Sequence, residues 1–319
     1  LVGELHIAEV NAERLREVQK ETNPTLATND YHELISNDGI DAIMVSTTPE
    51  TTHYPITKES LLAGKHVLLE KPLALTLDEA DELIKLARDR NLKFTVGYSQ
   101  RFNPKFAYIK KSLEEGTIGT PVSALISRHI SRKLGDKIGG RIKLSPAAME
   151  ATHDIDFVLW CLEPARPVRV YSQAVSKVMH PTHGVDDCQW IVVTMDDGMV
   201  FTIGAGWILP PAYPNFSSTW VEFIGSEGAL IVDDTHRDTV LTTMKGGIVH
   251  PMSTMPGEAV GHVYAGPMMA ETTYFLESIA YDRPVLVTAE QARRVMELYI
   301  AADLSAERND AVPLPLEQE

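Results

Sequence analysis

Between residues 5 and 115 the sequence alternates short apolar runs with amphipathic stretches, and this restricts the fold more than any other feature. The apolar runs fall at 5–8, 42–45, 66–69 and 94–96, and the helical stretches at 12–20, 31–36, 52–63 and 77–90. The last stretch is the best marked. Thr76-Leu77-Asp78-Glu79 reads as a capping box, and Ala80, Leu83, Ile84 and Ala87 then recur at helical spacing. Near-continuous apolar strands separated by helices imply a parallel sheet covered on both faces, because parallel strands need a crossover. The expectation is a doubly wound α/β domain over residues 1–119.

After Gly119-Thr120-Pro121 the texture changes. Strands are predicted at 122–127, 168–175, 189–195, 199–205, 219–224 and 230–232, with few helices between them. Consecutive strands with Gly, Pro and Asp-Gly turns predict a largely antiparallel open sheet in an α+β domain over residues 120–319. A helix is expected from Ser145-Pro146 to about Cys161, opened by a capping residue and a first-turn proline. Two more close the chain at 268–280 and 290–306, the second opened by Thr288-Ala289-Glu290-Gln291, and they could pack back toward the first domain. Residues 135–140 read as a mobile loop.

Length and composition set the outer limits. The 319 residues suit two domains at roughly 100–200 residues each. A hydrophobic share of 44% with no run near the ~18 apolar residues of a membrane span reads as soluble. No basic-plus-apolar leader is visible, and two cysteines, Cys161 and Cys188, suit a reducing cytoplasm. A net charge of −15 opposes a surface built for nucleic acid or anionic lipid.

The candidate chemistry sits at strand ends. Glu9 closes the first visible strand, where an acid accepts hydrogen bonds from adenosine ribose hydroxyls and repels a 2′-phosphate; the plain alternative is a solvated strand-end carboxylate. Ser46-Thr47-Thr48-Pro49 follows the strand at 42–45 with small hydroxyl residues that let backbone approach a phosphate or ribose, or that simply cap a turn. Glu70-Lys71-Pro72 follows the strand at 66–69, where a lysine can stabilise charge developing on a substrate oxygen. His180, His183, Asp186, Asp187 and Cys188 are metal-ligand types without a compact spacing, so no metal site is expected.

In sum of motifs the chain resembles the glucose–fructose oxidoreductase/inositol dehydrogenase (Gfo/Idh/MocA) family. The resemblance rests on Glu70-Lys71-Pro72 with Thr48, Pro49 and His53 upstream, on Val96-Gly97 with Arg101-Phe102-Asn103-Pro104, and on His153-Asp154-Ile155-Asp156. It continues in Phe223-Ile224-Gly225-Ser226-Glu227-Gly228 and Val312-Pro313-Leu314-Pro315, so it runs the whole chain in order. It implies a Rossmann domain, then an α+β domain whose open sheet often forms oligomer contacts, as a homodimer or homotetramer. It also implies NAD(P) at the strand-end crevice, with NAD favoured over NADP by Glu9, and substrate between the domains. Lys71 falls at the family's active-site lysine, and His153 at the histidine that shuttles the hydroxyl proton. Ser46, Thr47, Thr48, Pro49, His53, Glu70, Lys71 and Arg101 are assigned to the cofactor side, with capping or ion pairing as the alternative for Arg101. Lys71, Asn103, Arg128 and His153 are assigned to the substrate side, and Asp156 to a structural hydrogen-bonding role.

Two departures stand out. The family opens with a strand and a glycine-rich turn of ~25–30 residues that would precede Leu1 and hold the pyrophosphate. Many members also carry an acid four residues before the histidine, where this chain has Met149; Glu150, three before His153, can share its helical face and orient the imidazole, or be a solvent-facing charge.

The leading function is therefore NAD-dependent hydride transfer from a secondary alcohol of a cyclic polyol, sugar or sugar acid. One alternative is oxidation of a carboxylated cyclic cis-dihydrodiol to a catechol; another is a non-catalytic dinucleotide or ligand sensor. Arg128, Arg132, Lys133, Lys137, Arg141 and Lys143, against the single acid Asp136, suggest an anionic substrate or else a solvated or subunit-contacting arm.

Overall fold

The computed structural model describes residues 1–133, 143–213, 215, 217–233, 241–245, 247–249, 258–261 and 263–317. The expected loop at 135–140, with Asp136 and Lys137, and also Arg141, lie outside the described residues. The chain forms two compact units, Leu1–Gly97 with Thr272–Glu290 and Tyr98–Glu271 with Gln291–Glu319. The sequence texture changes near Gly119, whereas the compact units part at Gly97, and each of the last two helices contributes residues to both.

The first unit runs β1 (His6–Ala8), α1 (Ala12–Thr22), β2 (Leu26–Thr28), α2 (His32–Ile35), β3 (Ala42–Val45), α3 (His53–Leu62), β4 (His66–Leu69), α4 (Leu77–Asp89) and β5 (Phe94–Val96). All pairings here are parallel, as the strand–helix alternation requires. They fall into two sheets: β1–β2, and β3–β4–β5. Among the described residues β1 pairs with β2 alone and β3 with β4 alone, so each sheet has an open edge. The Thr76–Glu79 capping box forms, and α4 buries Ala80, Leu83 and Ala87. Thr95 on β5 donates to the Val287 carbonyl at 2.8 Å, and Lys93 pairs with Asp282 at 2.7 Å, which ties the returning segment to this sheet.

The second unit opens with a short 3-10 turn, Ser99–Phe102, and α5 (Pro104–Glu114), whose amino end is capped by Asn103. Then come β6 (Pro121–Ser131), a π-turn at Ala147–Ala151, α6 (Thr152–Leu162), β7 (Pro167–Val175), α7 (His180–His183), β8 (Cys188–Met195), β9 (Val200–Leu209), β10 (Ser217–Gly225) and β11 (Ala229–Asp233). Two hairpins follow, β12 (Leu241–Thr243) with β13 (Gly247–Val249) and β14 (Glu258–Val260) with β15 (Val263–Ala265). The chain closes through α8 (Pro267–Ala280), α9 (Ala289–Arg308) and β16 (Val312–Pro313).

The main sheet has seven strands in the order β11-β10-β6-β9-β8-β7-β16. It is mixed: among the described residues five of its six pairings are antiparallel and one is parallel, so the expectation of a largely antiparallel sheet holds only in part. The central pair β6–β9 is parallel, Ser123 opposite Val200 and Ile126 opposite Ile203, and the flanking pairs are antiparallel. The cause is the long connection after β6: α6 and the β7–β8 hairpin intervene, so β9 arrives beside β6 in the same direction. One face of the sheet is core, with Phe157 of α6 edge-on to Phe223 at 5.9 Å and tilted on Phe106 at 4.7 Å. The other face exposes Tyr171, Trp190, Val192, Val200, Ile224 and Ile231. Trp190 lies across Gly204, where an added Cβ would come within 2.4 Å of its ring.

Inside this unit Asp303 on α9 accepts from Ser145 Oγ at 2.9 Å and Gln189 Nε2 at 3.2 Å, and burial pushes its carboxyl up to about 6. The folded chain thus holds a proton there that the unfolded chain releases near the ordinary aspartate range. The associated stability is present below about pH 4 and is lost as the pH rises through 6, by roughly 3 kcal/mol at most. We expect Asp303→Asn to flatten the fall in stability between pH 4 and 7 in urea melts. Equal slopes for parent and variant would contradict this.

Candidate active site

In the first unit the candidate residues gather at the carboxyl ends of the strands. The ladder continues past β1, with Glu9 N–H donating to the Thr28 carbonyl at 3.0 Å. Glu9 Oε1 accepts the Asn11 N–H at 2.7 Å, and Asn11 caps α1, so the half-buried carboxylate has a fixed direction. The Ser46–Pro49 loop is exposed, and Thr47 Oγ1 meets Thr52 Oγ1 at 2.6 Å. Glu70 N–H donates to Val45, and Gly97 N–H to Leu69, both at 2.8 Å, so the ends of β3, β4 and β5 stand level.

Glu70 tucks its carboxylate under Gly97, where an added Cβ would sit 3.3 Å from it. Burial pushes the Glu70 carboxyl up; the Lys71 charge and backbone N–H pull it back. Lys71 itself is half-buried on the exit from β4. His53 is 2% exposed, with Nδ1 2.9 Å from the Pro72 carbonyl and Nε2 3.0 Å from the Thr47 carbonyl. It staples the loop after β3 to the loop after β4, shaping the crevice floor rather than reaching out of it.

In the second unit His153 stands on the first turn of α6. It is half-exposed, while every other residue from 151 to 159 is buried. Met149, at the family's acidic position, packs with Ile130, Met179, Val185 and Trp207 in an apolar cluster. Glu150 lies in the π-turn, not in a regular helix as the spacing predicted, and its Oε2 faces Arg128 Nη1 at 3.3 Å. Arg128 also donates from Nε to Asp154 at 2.9 Å and from Nη2 to the Glu150 carbonyl. Burial pushes the Asp154 carboxyl up, and the Arg128 charge opposes it.

These contacts bear on the substrate side. The Arg128 guanidinium is engaged by carboxylates of its own unit, and Arg132 Nε donates to the Ile208 carbonyl at 3.1 Å. Two of the six cations behind the anionic-substrate expectation are thus engaged within their own unit, while Lys137 and Arg141 lie outside the described residues. Arg101 shows the ion-pairing alternative: Nε and Nη2 hold Asp156 at 2.9 and 2.6 Å, and Nη1 donates to Gln291 at 2.8 Å. Both charged groups are almost wholly buried, and the guanidinium also lies over the Trp160 ring, 5.2 Å from its centroid. Asn103 Oδ1 accepts the Lys105 N–H at 3.1 Å as a helix cap. Asp187 caps its own loop, accepting N–H groups from Lys177, Val178 and Met179. Among the described residues no cluster of His, Cys, Asp and Glu could hold a metal ion, and no helix is long and apolar enough to cross a membrane.

Sequence reasoning missed Tyr98. It is fully buried, its hydroxyl lies 2.9 Å from Thr152 Oγ1, and its ring meets the His153 imidazole at right angles with centroids 6.0 Å apart. The only signal was its place directly after Val96-Gly97. A dinucleotide suits the donor set of the first unit: a fixed carboxylate for ribose hydroxyls at Glu9, and exposed hydroxyl residues after β3.

The comparisons with known proteins agree. An uncharacterized oxidoreductase of Synechocystis is 28% identical over 242 residues, covering 71% of this chain and 64% of that protein, so the chain matches less than two thirds of its length. A myo-inositol 2-dehydrogenase of Thermotoga maritima is 26% identical over 97% of this chain and 90% of its own. Among solved structures, a scyllo-inositol dehydrogenase of Lactobacillus casei with bound NAD(H) and scyllo-inositol shares the fold. Its TM-score is 0.80 at 20% identity, covering 97% of this chain and 90% of that one. The profile of the oxidoreductase family with an NAD-binding Rossmann fold matches residues 5–98, and that of the GFO/IDH/MocA C-terminal domain matches residues 106–231. The chain is an NAD-binding oxidoreductase of the Gfo/Idh/MocA family.

Proposed function

We propose that the chain oxidises a secondary hydroxyl of a cyclic polyol of the inositol class, with NAD as cofactor. The observation that carries this is the half-exposed His153 in an otherwise buried helical turn, within a chain that aligns almost end to end with a myo-inositol 2-dehydrogenase. His153 takes the hydroxyl proton, and Lys71 stabilises the alkoxide charge. Bound NAD supplies the hydride acceptor. Glu9 hydrogen-bonds the ribose and disfavours a 2′-phosphate. The open edges of β1 and β3 support a further strand completing the parallel sheet, with a glycine-rich turn for the pyrophosphate as the family resemblance implies.

The test is NADH formation followed by absorbance with inositols, neutral sugars, sugar acids and cyclic dihydrodiols. It is run on the 319-residue chain and on one extended ahead of Leu1. Turnover with an inositol, and a higher kcat/KM with NAD than with NADP, are expected. A best substrate among the dihydrodiols would replace the reading with the catechol reaction, and dinucleotide binding with no turnover would make the protein a sensor. Equal use of NADP would remove the ribose role from Glu9.

The exposed apolar face of the main sheet supports a homo-oligomer built on Trp190 and its neighbours. Light scattering should give a multiple of the chain mass, reduced by Trp190→Glu. A monomer at micromolar concentration would end this idea.

A further inference from the structure

Three side chains of one short segment grip three positions of α6. Tyr98 meets Thr152 at 2.9 Å, Gln100 Nε2 donates to Asp154 at 3.4 Å, and Arg101 holds Asp156 in two hydrogen bonds. The gripped positions alternate, and His153 lies between the first two. Anchors at 152, 154 and 156 fix the rotation of the helix about its axis, so the direction of the Cα–Cβ bond of His153 is set before any ligand arrives.

A fixed Cβ leaves two torsions of the imidazole open. Of the three gripping side chains, Tyr98 is the one whose ring also meets the imidazole, at an interplanar angle of 89°. Edge-to-face pairs of this kind prefer a defined mutual orientation. The Tyr98 ring is itself held at both ends, by the buried wall around it and by Thr152 at its hydroxyl. Burial pushes the phenol above its ordinary range, so the hydroxyl stays neutral and keeps this bond.

We propose that Tyr98 is a positioning residue that fixes the ring orientation and the neutral tautomer of His153. The proposal rests on the reading of His153 as the proton-handling group, and it is tested by a measurement that needs no substrate. Long-range 1H–15N spectra of histidine-labelled protein report the tautomer and titration of each imidazole, and the His153 signals are those lost in His153→Ala. The parent should keep the widely separated nitrogen shifts of one tautomer above its titration midpoint. In Tyr98→Leu the two shifts should converge. Tyr98→Phe keeps the ring and should rescue most of the parent spectrum. With an accepted alcohol, Tyr98→Leu should lower kcat about tenfold and leave KM within roughly threefold.

An unchanged tautomer in Tyr98→Leu would overturn the proposal. If that variant does not fold, Tyr98→Met, which removes the ring but keeps an apolar side chain of similar length in the buried wall, decides by the same spectra. Partial convergence supports positioning and no change overturns it. Should His153→Ala keep full turnover while Tyr98→Leu still disturbs the imidazole, the catalytic reading of His153 fails and the positioning stands.

Discussion

His153→Ala is expected to lower kcat/KM by about 10²–10⁴, the usual contribution of a positioned general base. Lys71→Ala should lower it by about 10²–10³, comparable to losing one donor to a developing oxyanion. Neither change should unfold the protein, because both side chains are only half-buried and neither sits in a core cluster. Initial rates on the best substrate, with thermal melts alongside, separate the two effects. Rates within a few-fold of the parent for either variant would falsify its assignment. Glu150→Gln provides the contrast: its carboxylate answers to Arg128, so it should weaken folding more than turnover.

Arg101→Met should destabilise the chain by about 3–5 kcal/mol, because it leaves Asp156 buried without its counter-charge. The reason is an asymmetry of buried pairs. Both charges have already lost water, and their mutual attraction offsets that loss only while both are present. Burial already pushes the Asp156 carboxyl up, and the guanidinium is what holds it back. Without Arg101 the carboxyl takes a proton more readily, so the deficit should narrow as the pH is lowered. Urea midpoints at two pH values measure both effects. A loss below about 1 kcal/mol would mean that water reaches Asp156 in the folded chain.

The strand-end placement of the candidate residues was legible because it depends on local order. An apolar run followed by Glu70-Lys71-Pro72 places the lysine at a carboxyl end whatever the rest of the chain does. The capping box at Thr76 and the helix of His153 were readable for the same reason. What escaped depends on residues far apart in sequence. The parallel β6–β9 pairing is set by where a long connection returns, and no periodicity encodes that. Arg128 reads as a free cation in a basic stretch, yet its partners, Glu150 and Asp154, lie more than 20 residues on. The three residues of β2 are too few to show alternation.

The π-turn at Ala147–Ala151 has one further consequence. A π-turn is a helix carrying one surplus residue, and each residue of an α-helix advances about 100° around its axis. The surplus therefore acts as a phase shifter between the capped start at Ser145 and the helix that bears His153. Met149 is turned into the Trp207 cluster, and Glu150 is brought to Arg128. Point substitutions leave that phase alone. An acid placed at position 149 would meet tryptophan and methionine rather than imidazole, and only a change of length in this turn would re-gear the helix.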